Sequence, residues 1–164
     1  MNDTLVNKPA SQEEINFYCY IGEAICKIQI VEGALSYAIT LKLNPNASMQ
    51  EADKILKKNQ GYTLGKAIKI AESDNLFDAS LQKDLNHFLG ERNWLVHNAV
   101  EEYRNGIFVD VTNQRMLNRI KDISDQSLHI QHTIELDMIA FCTAKGKDMS
   151  SSLAIINTRY ASKS

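Results

Sequence analysis

The chain has only two prolines, Pro9 and Pro45, in 164 residues, so long stretches contain nothing that forbids a helix. Its seven glycines are scattered, with no glycine-rich loop of the kind that cradles phosphates. Neither G-x-S-x-G nor H-E-x-x-H occurs, so classical nucleotide-binding, serine-hydrolase and zincin readings have no support. The three cysteines, Cys19, Cys26 and Cys142, form no C-x-x-C pair. They are expected to be buried free thiols in a reducing compartment, with Cys19 and Cys26 on one helix face. The net charge of -2 exerts no global pull on nucleic acid, so an anionic substrate needs a local cluster of cations. The opening MNDTLVNKPA has no cationic start followed by an apolar run, and no apolar run approaches the roughly 20 residues of a membrane span. The expected location is the cytoplasm, with no membrane partner.

What is present is helix. Apolar residues make up 44% and charged residues 23%, the balance of a globular domain rather than a disordered one. Ser11–Glu14 and Ser48–Glu51 are capping boxes, each opening a helix. From Ser11 to about Leu43, Phe17, Ile21, Ala24, Ile28, Val31, Leu35 and Ala38 recur at heptad-like spacing. Gly22 and Gly33 in that helix are read as sites of close helix packing. Short helices are expected from Ser48 to about Lys58 and from Thr63 to Glu72. A long one is expected from about Thr112 to Ala144, closed by Gly146, with a last short helix within 148–161. Ile107, Phe108 and Val109 read as an extended connector. The fold expected is all-α: an antiparallel bundle of four to five main helices plus short ones. Residues 1–10 form a lead, 11–161 the domain and 162–164 a tail.

The chemistry concentrates in Leu81–Arg104, LQKDLNHFLGERNWLVHNAVEEYR, expected as one long helix with Asp78 as its cap. Leu81, Leu85, Phe88, Leu89, Leu95, Val96, Ala99, Val100 and Tyr103 share one broad face, and Arg92 falls within it. An unpaired guanidinium among apolar side chains is costly and calls for a reason. Asn93 and His97 stand one turn apart on the polar edge, with Gly90 beside them.

Arg92-Asn93-Trp94-Leu95-Val96-His97 resembles the signature of the HEPN domain family: an arginine, a polar follower, and a histidine after a gap of four to six residues. The resemblance implies a helical ribonuclease that works without metal or other cofactor, attacking a phosphodiester through its own 2′-hydroxyl. His97 would be the general acid or base, Arg92 the phosphate clamp and Asn93 the orienting residue. Arg92 and His97 diverge by about 140° on a single helix, which favours a homodimer in which two copies share one cleft. RNA, and an antitoxin protein, are the partners implied. In one branch of the family a tyrosine two residues after the histidine is modified to silence the toxin; Ala99 stands there instead.

Blander readings stand beside these. Arg92 also reads as half of a structural ion pair with Glu23 or Glu32, leaving a non-catalytic helical module for dimerisation or protein binding. Trp94 is either a subunit contact or packed within its own chain. Lys54, Lys57, Lys58, Lys66 and Lys69 are either a grip for RNA phosphates or a solvated face; no aromatic is read as interleaving them, which weakens the case for stacking a single strand. His129, His132 and Glu135 have ligand-type side chains at helical spacing and read as a polar face, so no metal site is expected.

Overall fold

Apolar stripes that must leave water dictate the architecture. The computed structural model describes residues 9–106 and 110–161, with side chains assigned outside 110–112. Among the described residues there are seven helices and no strand. They are α1 (Gln12–Leu43), α2 (Met49–Gln60), α3 (Leu64–Ser73), α4 (Ala79–His97), α5 (Ala99–Gly106), α6 (Asp110–Ala144) and α7 (Ser150–Ala161). The protein is an all-α helical bundle, as its periodicity indicates.

The helix ends follow local sequence. Both capping boxes form: Ser11 accepts the Glu14 amide and Ser48 the Glu51 amide, while each glutamate accepts the amide of its serine. Asp78 accepts the Leu81 amide at 2.8 Å and so caps α4. Gly146, at φ +78°, ends α6 with the Lys147 amide bonded to the Cys142 carbonyl. Asn75 does the same for α3 at φ +50°, and the Leu76 amide reaches the Ala71 carbonyl.

The core is a seam between α1 and α6. All seven positions of the α1 stripe are buried, against Met116, Ile120, Ile123, Ile130 and Ile134 of α6. Glu13 meets Asn113 and Lys42 meets Asp137, so α1 and α6 run parallel. Arg92 reaches Glu32 while Tyr103 stacks on Phe17 at 3.9 Å, so α4 and α5 run antiparallel to both. Lys42, its side chain only 9% exposed, ties three elements together: it bonds Asp137 of α6 and the Leu76 carbonyl, and lies over the Phe77 ring.

Several expectations need correction. The helix over 81–104 breaks at Asn98 (φ −121°, ψ −31°). The Asn98 amide still bonds the Trp94 carbonyl and its own carbonyl takes the Glu102 amide, so the break is a bend rather than a gap. That bend brings Tyr103 onto Phe17. Val96, at the edge of the apolar face, is 48% exposed. No neighbour lies within 4 Å of where a Cβ would stand at Gly22 or Gly33, so close packing does not account for either glycine. Cys19 and Cys26 do share a face, but it is the exposed one, and Cys142 is half-buried. By length and composition α1 is apolar enough to pass for a membrane span, although 44% of that stretch is buried in the bundle. The connector over 107–109 lies outside the described residues.

The last helix is fastened by polar contacts. Glu135 accepts from Arg159 at 2.9 Å and from the Tyr160 hydroxyl at 3.2 Å, and Tyr160 stacks on His132 at 4.1 Å. Burial, followed by the Glu135 charge, pushes the Tyr160 phenol up to about 12. A phenol raised in the folded state contributes stability below the unfolded value near 10 and loses it as pH climbs through about 12. The wild-type chain should therefore lose α7 docking across that window, and Tyr160→Phe should not show the tyrosinate titration that accompanies it, read by ultraviolet difference absorbance. In the core, Phe17→Ala should cost about 3–5 kcal/mol in denaturant unfolding, because it empties a fully buried site and removes the Tyr103 stack.

Candidate functional site

Thr63 caps α3 by accepting the Lys66 amide, which sets the first turn of that helix against the middle of α4. Gly65 lies beneath the Leu89 side chain, where a Cβ would stand 3.5 Å from Leu89 Cδ2. Between the two helices is an open groove of about 520 Å³, lined by Lys66 and Lys69 from α3 and Arg92 and Asn93 from α4. Three cationic side chains therefore share one hollow in a chain whose net charge is -2.

Arg92 is half-buried, its side chain 28% exposed. Its Nη1 donates to Asn93 Oδ1 at 3.3 Å, and its Nη2 stands 3.8 Å from Glu32 Oε1 on α1. Of the two carboxylates considered for it, Glu32 is the partner, while Glu23 pairs with Lys27 instead. At 3.8 Å the Glu32 contact is a loose ion pair rather than a close bidentate one, so the guanidinium keeps free donors facing the groove. The lean toward Asn93 carries the guanidinium toward the polar edge that also bears His97. His97 is exposed, is the last residue of α4 and does not line the groove. Gly90 is exposed with open space around it.

The five lysines are not brought together. Lys66 and Lys69 join Arg92, whereas Lys54 lines a separate hollow at the α1–α2 turn and Lys57 and Lys58 end α2. The view that no aromatic interleaves them is corrected by Tyr62, which stands between Lys58 and Lys66 in the sequence and lies with its ring 3.9 Å beneath Lys66 Nζ.

Trp94 packs within its own chain. Its Nε1 donates to Glu102 Oε1 at 2.8 Å, and the Arg119 guanidinium covers its ring at 3.8 Å. Arg119 in turn forks onto Glu91 at 2.8 and 2.9 Å. Trp94, Glu102 and Arg119 wall a wide hollow of about 930 Å³ between α4–α5 and α6. His132 and Glu135 serve the α7 contact, and among the described residues no group of three or more His, Cys, Asp or Glu is placed to hold a metal ion.

Sequence reasoning missed Glu91–Arg119 and Lys42–Asp137. Their partners lie 28 and 95 residues apart, a separation at which helical spacing carries no information. Tyr62 was legible from its place among the lysines. No family model, characterised protein or solved structure matches this chain.

The paired hydrogen bonds from Arg119 hold the Glu91 carboxyl below its usual range, against the opposing effect of burial. A depressed carboxylate contributes stability above its unfolded value of 4.5 and loses it as pH falls through the lower folded value. Glu91→Gln should therefore be less stable than wild type by about 1 kcal/mol at neutral pH, discounted for partial exposure. The difference should close below pH 4.5, followed by Trp94 fluorescence during urea unfolding.

Proposed function

We propose that this chain is a HEPN-like endoribonuclease that cleaves RNA without metal, acting as a homodimeric toxin in a toxin–antitoxin or anti-phage system of the cytoplasm. The observation that carries the reading is the groove in which Arg92, Lys66 and Lys69 converge beside Asn93, on the helix that ends in His97. RNA phosphates would lie on the three cations, with Arg92 supplying paired donors to the charge that grows on the phosphate. His97 would take the 2′-hydroxyl proton or deliver one to the leaving oxygen. Asn93 bonds Arg92 and shares an edge with His97, so it would keep clamp and base in register. Tyr62 beneath Lys66 offers a ring near the groove on which an unpaired base can stack. An antitoxin would act by covering this edge.

A second reading, the non-catalytic helical module for dimerisation or protein binding, is favoured by the Arg92–Glu32 pair. That carboxylate is what a purely structural arginine requires. One assay separates the two. Purified protein is incubated with total RNA in the presence of a chelator, and the ends are analysed. New 2′,3′-cyclic phosphate ends are expected, falling about 10²- to 10⁴-fold with His97→Ala while helical circular dichroism is unchanged. Arg92→Ala should also abolish cleavage. Intact RNA, or equal cleavage by His97→Ala, would leave the module reading standing.

A further inference from the structure

A second, smaller hollow of about 240 Å³ lies where α1 faces the end of α2. Gln29, Glu32, Gly33 and Ser36 line it as one stripe of α1, and Gln60 and Tyr62 line it from the other side. The turn that carries Tyr62 is fixed from within: Asn59 Nδ2 donates to Thr40 Oγ1 at 2.8 Å, and the Tyr62 amide donates to the Asn59 carbonyl at 3.0 Å. The hollow is therefore preformed, which lowers the cost of filling it. Two contacts join it to the cationic groove. Glu32 Oε1 stands 3.8 Å from Arg92 Nη2, and the Tyr62 ring lies 3.9 Å beneath Lys66 Nζ.

The two hollows differ in chemistry. The groove holds the cations Lys66, Lys69 and Arg92, whereas the hollow holds one carboxylate, two side-chain amides and the buried Ser36 hydroxyl. A nucleotide has the same asymmetry, with an anionic phosphate at one end and a neutral base rich in N–H and C=O groups at the other. The hollow is smaller than the roughly 300–1,000 Å³ of a drug-sized ligand's site, and suits one base rather than a whole nucleotide. We propose that it is the base-recognition subsite of the cationic groove and that it selects guanine. The assignment rests on the reading of that groove as a site for RNA phosphates.

Glu32 makes the choice. An ionised carboxylate only accepts, and at 3.8 Å the Arg92 guanidinium attracts it without a hydrogen bond. Among the described residues no other group bonds that carboxylate, so its lone pairs are open to a ligand. Guanine alone among the four bases sets two N–H donors, at N1 and N2, side by side on its Watson–Crick edge, and both meet one carboxylate in parallel. Adenine and cytosine place a ring-nitrogen acceptor beside the amino group, and uracil flanks N3–H with two carbonyls. Each of those acceptors repels a carboxylate. The Gln29 and Gln60 amides supply donors for O6 and N7, and the Tyr62 ring supplies a stacking surface. Gly33 has no atom within 4 Å of where a Cβ would stand, which lets a planar base approach the α1 backbone. Glu32 thus determines specificity as well as steadying Arg92. Once it holds the base, the guanidinium donors turn to the phosphate.

The test is titration calorimetry of the full chain with guanosine 3′-monophosphate, against the adenosine, cytidine and uridine 3′-monophosphates. The guanine nucleotide should bind at least about 10-fold tighter than each of the others, the discrimination of one bidentate contact. Glu32→Gln should erase that preference while the adenine nucleotide binds as tightly as before or tighter, because Arg92 then loses its counter-ion. A purely structural Glu32 would shift all four nucleotides alike. Gly33→Leu is the second variant: it fills the hollow and should erase the preference, and it should melt no lower than wild type because the position is open and glycine is a poor helix former. Uridine pentamers with one central guanosine or adenosine, read by fluorescence anisotropy on His97→Ala so that they stay whole, distinguish the source of the base. A guanine preference seen in the pentamers alone assigns the subsite to guanine within RNA, and one seen equally with the mononucleotide assigns it to a free guanine nucleotide. Equal binding across the bases in both forms, no binding of either form, preference for another base, or a guanine preference that survives both variants would overturn the proposal. A chain that prefers guanine yet leaves RNA intact keeps the subsite and loses the ribonuclease reading; a chain that cuts RNA without preferring a base does the reverse.

Discussion

Contact between the apolar stripe of α1 and the isoleucine seam of α6 sets the constraint that the other elements obey. Two helices of 32 and 35 residues lie parallel and exclude water along Phe17 to Ala38 on one side and Met116 to Ile134 on the other. Parallel neighbours cannot be joined by a short turn, so an intervening helix must return the chain. That return is α4 and α5, and the bend at Asn98 lets the returning segment keep contact with α1 as far as Phe17. The depth of the core is what makes a half-buried arginine on α4 tolerable, because α1 presents Glu32 at the matching level.

Charged and polar fastenings then lock the helices around that seam. Lys42 holds α1, the α3–α4 loop and α6; Arg119 joins Trp94 and Glu91; Glu135 and His132 hold α7. Each is a set of contacts between distant segments, and each uses a long side chain whose stem lies on apolar surface while its head is paired. The alkaline limit on Tyr160 and the acid limit on Glu91 come from such fastenings, at opposite ends of the pH scale.

The groove between α3 and α4 is where packing and chemistry meet. Its walls are set by the Thr63 cap and the Gly65–Leu89 approach, and its charge comes from two helices that meet only in the folded chain. Arg92 belongs to both worlds: its Glu32 contact is structural, while its remaining donors face solvent beside Lys66 and Lys69. A reading as ribonuclease and a reading as helical module differ in what those donors do, not in how the helix is held.

The sequence by itself determined most of the helices, their capped ends and the apolar stripe of α1, because these depend on neighbours three and four residues away; it did not show the break at Asn98 or the exposure of Val96. Ser11, Ser48, Thr63, Asp78 and Gly146 end their helices where local hydrogen bonding places them, and the stripe of α1 is buried at every position named. It also marked Arg92, Asn93 and His97 by their spacing. Tertiary structure alone decided that Glu32 rather than Glu23 meets Arg92, that Lys66 and Lys69 join the groove while Lys54 does not, and that Cys19 and Cys26 face outward. Those outcomes depend on how helices are set beside one another. Residues 28, 60 or 95 apart along the chain meet only once the apolar stripes have chosen their partners, so no local pattern records them.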